Sequence, residues 1–265
     1  MLNYENVRHW QSPEIEQTLQ PKDVMLYALG LGLGQDPTDR TQLKFTTENI
    51  DAVRLVHGEQ SIFLHHPLPT QGTLVGRSRV TRVVDKGPGK GALVHVEKVI
   101  REASSDQLLA TCEAVVFCRG DGGFSAQGGG DEPAPGLRAT PEAPPDVVLT
   151  FQTRPEMALI YRLSGDYNPL HCDPDVAAQA GFSQPILHGL ATYGVAGHLL
   201  LKAFCDDDPS RLKSLRARFS APTFPGDLME LQCWRSGEDI AFRACVPARG
   251  AVVLSHGSAR CAATA

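Results

Sequence analysis

The amino-acid sequence predicts an α+β protein of two consecutive units, each with a helix followed by antiparallel strands. Three observations support this prediction. Residues 73–84 alternate between apolar and polar side chains, as a half-buried strand does. Residues 122–146 are rich in glycine and proline and are predicted to link the two units. The same order of elements then recurs, so we divide the chain into residues 1–121, 122–146 and 147–265.

The first unit is predicted to begin with a helix over residues 24–34, whose glycines would let a helix approach a sheet closely. Strand patterns follow at residues 73–84, 92–101 and 108–118. The turn cluster from Asp85 to Gly91 separates the first two of these strands. Strands joined by such short turns indicate an antiparallel sheet.

The second unit is predicted to open with a strand at residues 147–151 and a short helix near residues 176–180. A longer apolar helix is predicted at about residues 189–204. Four strands complete the unit, at residues 211–220, 227–235, 240–246 and 251–262. The two units share the order of their elements, but their amino-acid sequences show no clear identity to each other.

Composition narrows the classes of function that this chain can have. A net charge of -5 and a pI near 6.0 argue against binding to nucleic acid. The seven cysteines form no Cys-x-x-Cys pair, so neither a zinc site nor a disulfide framework is expected, and free thiols suit a reducing cytosol. No apolar run is long enough to span a membrane, and a secretory leader is not expected. With no Ser-Lys-Leu at the C-terminus, we predict a cytoplasmic protein.

The most informative stretch runs from Tyr161 to His171. Asp166 and His171 are five residues apart, a spacing that places them on one face of neither a helix nor a strand. Asn168-Pro169 forces a turn between them, because the residue before proline is pushed out of the helical region. A short loop could therefore present an acid and an imidazole to one point. Alternatively, these Asp and Asn side chains could simply stabilise a turn.

The segment Pro185-Ile186-Leu187-His188-Gly189, which precedes the apolar helix, favours the chemical interpretation. Together with the loop it resembles the signature of the MaoC-like R-specific enoyl-CoA hydratases, or type-2 hydratases. That signature combines aromatic-x-Leu-Ser-Gly-Asp-x-Asn-Pro-Leu-His, an acidic-Pro pair and Pro-Ile-x-His-Gly. The matching residues here are Leu163, Ser164, Gly165, Asp166, Asn168, Pro169, Leu170, His171, Asp173, Pro174, Pro185, Ile186, His188 and Gly189.

The resemblance implies a double hot-dog fold, in which each unit is a long helix wrapped by an antiparallel sheet. It also implies that the first unit is non-catalytic and binds substrate, because Asp-x-Asn-Pro-x-His occurs only in the second. Relatives of this kind usually form homodimers. The expected reaction interconverts trans-2-enoyl-CoA and (3R)-3-hydroxyacyl-CoA, with an acyl-CoA thioester and water as reactants and no cofactor or metal.

Hydration of an enoyl thioester needs a base, an acid and a group that stabilises the thioester oxygen. Asp166 and His171 match the family's catalytic pair, and the sequence leaves open which of them deprotonates the water. Asn168 would orient the water or the imidazole. The N–H of Gly189, at the start of the long helix, matches the family's donor to the thioester oxygen.

The resemblance also implies several contacts with the substrate. These contacts are at His57, Gly58, Lys86 and Phe219. We also assign Tyr167 and His188 to substrate binding, with His188 in a structural or pocket-lining role and not a catalytic one. Lys86, or its neighbour Lys90, could pair with a phosphate of coenzyme A. Alternatively, each lysine could lie in a solvated turn and Phe219 could be an ordinary core residue. An acyl-CoA thioesterase and a non-catalytic acyl-CoA-binding protein remain as alternative functions on the same fold.

Overall fold

The computed structural model describes residues 55–119, 121–127 and 129–263, with residues 22, 25–26, 29, 34–36, 38–43 and 47 nearer the N-terminus. Met25, Leu26 and Leu29 are helical, as predicted for this segment. The rest of the helix predicted at residues 24–34 lies outside the described residues, except for a turn at Gly34. No helix among the described residues is both long and apolar enough to cross a bilayer.

Nine strands form one antiparallel sheet, in the spatial order β2-β3-β4-β1-β6-β9-β8-β7-β5. The two runs of strands meet where β1 pairs with β6, in a register that places Ile62 opposite Leu215. In chain order the strands are β1 (Leu55–Leu64), β2 (Leu74–Asp85), β3 (Ala92–Glu102), β4 (Leu108–Cys118), β5 (Val147–Gln152), β6 (Leu212–Phe219), β7 (Leu228–Ser236), β8 (Asp239–Val246) and β9 (Ala251–Cys261). The eight strands predicted from alternation are confirmed.

Strand β1 was not predicted from the sequence. Its register shifts between His57 and Glu59, which makes Gly58 the extra residue of a β-bulge. A Cβ atom at Gly58 would lie 3.2 Å from the carbonyl oxygen of Val115, so the neighbouring backbone is close. The bulge and four successive polar or small residues, 58–61, obscure the alternation. Pairing with β4 and β6 on its two sides stabilises the strand instead.

Besides the helical residues near Met25, four α-helices are described: α1 (Arg40–Leu43), α2 (Met157–Arg162), α3 (Pro174–Gln179) and α4 (Gly189–Phe204). The predicted helices near residues 176–180 and 189–204 correspond to α3 and α4, whereas α2 was not predicted. Helix α4 packs on the sheet formed by the second run of strands. Leu199 and Leu200 of this helix belong to the same buried cluster as Leu215, Leu231 and Phe242. This is the helix-wrapped arrangement of a hot-dog fold.

Described residues near the N-terminus pack behind the loop that carries the candidate site. Leu29 and Leu43 form a buried cluster with Leu159 of α2 and with Cys172, the residue after His171. Arg40 forms an ion pair with Asp175 of α3. The loop therefore has a supporting layer from a distant part of the sequence.

The connection between the two runs of strands is tied down near both ends. The carboxylate of Asp85, which ends β2, accepts hydrogen bonds from the N–H groups of Gly123 and Ser125, both at 2.7 Å. Trp234 of β7 donates its indole N–H to the carbonyl of Ala143 at 2.7 Å. Since β2 and β5 are the two edges of the sheet, residues 122–146 lead from one edge towards the other. The division into units at residues 121 and 147 stays a prediction.

Candidate active site

The loop between α2 and α3 is shaped by hydrogen bonds from its own side chains. Asp166 Oδ1 accepts the N–H of Asn168, and Asn168 Oδ1 accepts the N–H of Leu170, each at 3.0 Å. Asn168 thereby caps a 3-10 helix over Pro169–His171. The turn chemistry weighed from the sequence is thus present. It is also what brings Asp166 back towards His171.

The acidic-Pro pair of the signature has a local structural role. Asp173 caps α3 by accepting the N–H groups of Asp175 and Val176, at 2.8 and 3.4 Å. Pro174 occupies the first position of that helix, where its missing N–H costs no intrahelical hydrogen bond. Together these contacts anchor the end of the loop immediately after His171.

His171 is held in a defined tautomer. Its side chain is buried, and Nδ1 lies 2.8 Å from the carbonyl oxygen of Ile186. A carbonyl oxygen can only accept, so Nδ1 carries the proton and Nε2 is the basic nitrogen of the neutral ring. Burial lowers the pKa of His171 below its ordinary value of 6.5. The Ile186 carbonyl and the Asp166 carboxylate raise this pKa without overcoming the effect of burial.

Asp166 is exposed, and its carboxylate is close enough to His171 to act on the pKa of the ring. Its backbone carbonyl oxygen lies 2.8 Å from Nε2 of His188. His188 in turn is stacked on His171, with 3.7 Å between the ring centroids. The structure therefore brings these three sequence-predicted residues into one cluster.

Gly189 begins α4 immediately after His188. A Cβ atom at Gly189 would lie 3.2 Å from two ring carbons of Phe219, at the end of β6. The ring of Phe219 meets the ring of His57 edge to face, with 5.0 Å between centroids. Residues of both units thus surround the N-terminus of α4, where unpaired helix N–H groups favour negative charge.

Two predicted substrate contacts lie outside this cluster. Lys86 lies in the turn between β2 and β3, and its ammonium packs on β4, 5.0 Å from the ring centroid of Phe117. Val116, the residue before Phe117 in β4, is the partner of His57. Consecutive residues of a strand point to opposite faces of the sheet, so Phe117 and Lys86 lie on the face opposite to that of His57. Tyr167 packs its ring against the guanidinium of Arg162, at 5.0 Å.

Sequence reasoning assigned no role to Tyr161 and Arg162, which lie beside these predicted residues. Tyr161 contacts the ring of His188, with 4.8 Å between ring centroids. A Cβ atom at Gly165 would lie 2.5 Å from the Tyr161 ring, so this ring leaves space only for glycine. Arg162 is fully buried beneath the loop. In the sequence, the only signal for these two residues was that Tyr161 occupies the aromatic position of the signature.

Fold and site together define a hot-dog protein with an Asp–His loop beside the N-terminus of its central helix. Family models agree: the MaoC like domain matches residues 137–254, and the MFE-2 hydratase 2 N-terminal domain matches residues 41–120. The chain belongs to the MaoC-like dehydratase family, and to its two-unit enoyl-CoA hydratase 2 type. The double hot-dog fold expected from the resemblance is confirmed.

Individual relatives show the extent of the similarity. The peroxisomal enoyl-CoA hydratase 2 of Arabidopsis thaliana is 36% identical, and the match covers 92% of this chain and 90% of the relative. The 3-hydroxyacyl-thioester dehydratase Y of Mycobacterium tuberculosis is 38% identical, with 81% of each chain covered. The crystal structure of a MaoC-like dehydratase from Phytophthora capsici superposes with a TM-score of 0.73, at 34% identity over 93% of this chain and 94% of that one.

Proposed function

We propose that this protein catalyses the reversible addition of water to trans-2-enoyl-CoA, which yields (3R)-3-hydroxyacyl-CoA. One observation carries the proposal: a neutral His171 lies beside the Asp166 carboxylate near the N-terminus of α4, and its basic Nε2 has no hydrogen-bond partner among the described residues. The names of the relatives, an enoyl-CoA hydratase and a 3-hydroxyacyl-thioester dehydratase, support the same reaction class.

In this mechanism Asp166 and His171 hold one water molecule between them. The oxygen of the water attacks C3 of the enoyl group while Nε2 of His171 accepts one of its protons. C2 then takes one proton from the pair, so both side chains return to their starting states. General acid–base steps of this kind typically contribute about 10²–10⁴-fold to the rate.

Attack at C3 moves negative charge onto the thioester oxygen. The Gly189 N–H is at the first position of α4, where no preceding turn of helix offers an acceptor. We assign this N–H as the donor that stabilises the enolate oxygen, assisted by the helix dipole. The amide of Asn168 is assigned to orienting the water, because only its oxygen is used in capping.

The substrate would enter alongside Phe219 and His57, which join the two units next to Gly189. Burial lowers the pKa of His57, so this ring is neutral and can line an acyl or pantetheine channel without charge. Gly58 lets β1 bulge at that point. Lys86 is assigned to a coenzyme A phosphate and Tyr167 to the channel rim, both further from the reacting atoms.

Other parts of the proposal concern the state of the protein. The reaction needs no cofactor or metal, because side chains and one backbone N–H supply every step. All seven cysteines are free thiols, which suits a reducing compartment, and we propose the cytosol although the Arabidopsis relative is peroxisomal. A homodimer is proposed as the working assembly.

The loss of enoyl-thioester absorbance after enzyme addition tests the reaction directly. Asp166→Asn and His171→Gln should each lower kcat by about 10²–10⁴-fold. His198→Gln, at an exposed position of α4, should not change it. A thiol-reactive dye distinguishes hydration from thioester hydrolysis, and chiral analysis of the product checks the 3R configuration. Absence of hydration by the wild type, or rapid thiol release, would overturn the proposal.

A further inference from the structure

His188 touches both residues of the candidate catalytic pair without facing solvent. It is the residue immediately before α4, and its side chain is 3% exposed. The preceding residue, Leu187, is held by a hydrogen bond from its N–H to the carbonyl of Thr223 at 2.8 Å. The imidazole of His188 is therefore built into the wall behind the loop and does not line an open channel.

The first contact is with the backbone of Asp166. Nε2 of His188 lies 2.8 Å from the carbonyl oxygen of Asp166, and this oxygen can only accept a hydrogen bond. Nε2 must therefore carry a proton. The hydrogen bond fixes the peptide that bears the exposed Asp166 carboxylate, so the position of that carboxylate depends on a residue 22 positions further along the chain.

The second contact is with the ring of His171. The two imidazoles stack with 3.7 Å between centroids and an interplanar angle of 24°. His188 covers one face of His171, and the Ile186 carbonyl fixes the rotation of the same ring through Nδ1. With one face covered and Nδ1 bound, the direction of the basic Nε2 of His171 is determined.

The stack also requires His188 to be neutral. The groups that face His188 are His171, Tyr161, Asp166 and Arg162. A cation at His188 would lie against the face of His171 at the moment when that ring takes up a proton. Burial and the neighbouring His171 lower the pKa of His188, so the cation is avoided.

We propose that His188 is a positioning residue for the hydration step, which sets the Asp166 backbone and the His171 ring plane at the same time. This inference rests on the proposed function. His188 need not touch the substrate. Its removal should therefore lower kcat and leave KM nearly unchanged, because the alignment of base and acid is lost while binding is kept.

Two variants separate the two contacts. His188→Gln offers an amide N–H to the Asp166 carbonyl but removes the stacked ring. His188→Phe keeps a stacked ring but has no donor. Each should lower kcat roughly 10–100-fold with KM within about threefold of wild type, since small misplacements of catalytic groups have effects of this size. His198→Gln, exposed on α4, is the matched control and should behave as wild type.

The pH profile of kcat/KM provides a readout that a purely structural role would not move. In His188→Gln the uncovered face of His171 gains hydration, so its pKa and the acidic limb should move to higher pH. In His188→Phe the ring stays covered and the limb should stay in place. These assays use a short-chain enoyl-CoA as the test substrate. Near-UV circular dichroism of each variant shows whether it is folded.

Each outcome bears on one proposal. If wild type and His198→Gln hydrate the substrate but both His188 variants keep kcat within threefold, the positioning role is refuted. If neither variant folds, the positioning role is also refuted, because His188 is then a structural residue. If only one variant folds, its kcat and KM test the positioning role. Absence of hydration by the wild type instead overturns the proposed function.

Discussion

Replacement of Gly189 by proline isolates a backbone donor that side-chain substitution cannot reach. Proline is well tolerated at the first position of a helix, because the N–H it lacks has no intrahelical acceptor there. The residue before it is also compatible: His188 has φ −55° and ψ 137°, in the extended region that a following proline demands. Helix α4 should therefore form in Gly189→Pro, with one N–H fewer at its N-terminus.

The size of the effect follows from the proposed role of that N–H. Loss of one donor to a developing oxyanion typically costs about 2.7–4 kcal/mol of activation free energy, or roughly 10²–10³ in kcat. Proline also adds a Cβ atom, which would lie 3.2 Å from the ring of Phe219. Gly189→Ala adds the same Cβ atom and keeps the N–H, so it measures the crowding that this atom causes.

The assay is the initial rate of enoyl-CoA hydration for wild type, Gly189→Ala and Gly189→Pro, over a range of substrate concentrations. Gly189→Ala should mainly raise KM, as Phe219 shifts by a few tenths of an ångström. Gly189→Pro should show the further loss of about 10²–10³ in kcat. If folded Gly189→Pro keeps kcat within about threefold of Gly189→Ala, the assignment of the N–H as the oxyanion donor is refuted.

Three further predictions follow. The base form of His171 is neutral and its pKa is lowered, so kcat/KM should fall on acidification with a midpoint below 6.5; a midpoint above 6.5 in the pH–rate profile would contradict this. Burial lowers the pKa of His188 in the folded protein to about 3, whereas in the unfolded chain it has the ordinary value of 6.5. Between these two pH values His188 is protonated only in the unfolded chain, so the unfolding free energy falls as the pH is lowered. Between about pH 7.5 and pH 5 this should remove about 2 kcal/mol of unfolding free energy, a loss absent from urea titrations of His188→Phe. Gly257→Ala would place a Cβ atom 2.5 Å from Phe242 and should lower the unfolding free energy by about 1–3 kcal/mol. Gly194→Ala adds a Cβ atom in open space on α4 and should raise the unfolding free energy by about 0.5–1 kcal/mol. Melting temperatures equal to that of the wild type would contradict both expectations.

The strands and the long helix were predictable because their signals are local. The strand patterns at residues 73–84 and 92–101, and the apolar run over residues 189–204, each belong to a single element. Strand β1 was missed for the opposite reason. Its central residues are polar and it bulges at Gly58, so pairing with strands on both sides determines its conformation.

In the candidate site, too, features that depend on local sequence were predictable and features that depend on distant contacts were not. The turn that brings Asp166 towards His171 was predicted, because Asn168-Pro169 restricts the backbone by itself. The relation of His57 to Phe219 was available only through resemblance to a family. These rings meet because β1 pairs with β6, a contact between distant parts of the chain. Helix α2, which carries Tyr161 against the ring of His188, is too short to give a clear period.

By itself, the sequence determined eight of the nine strands, the long helix, the bent acid–imidazole loop and the glycine at the start of that helix. Each of these depends on the residues that form it. Only the tertiary structure decided which nitrogen of His171 is basic and what covers its ring. The carbonyl that binds Nδ1 comes from a residue 15 positions away, and His188 reaches the loop only because α2 and α4 pack together through Ala158, Leu187 and Ala191. A tautomer follows from the acceptor beside it, and that acceptor is placed by packing between segments.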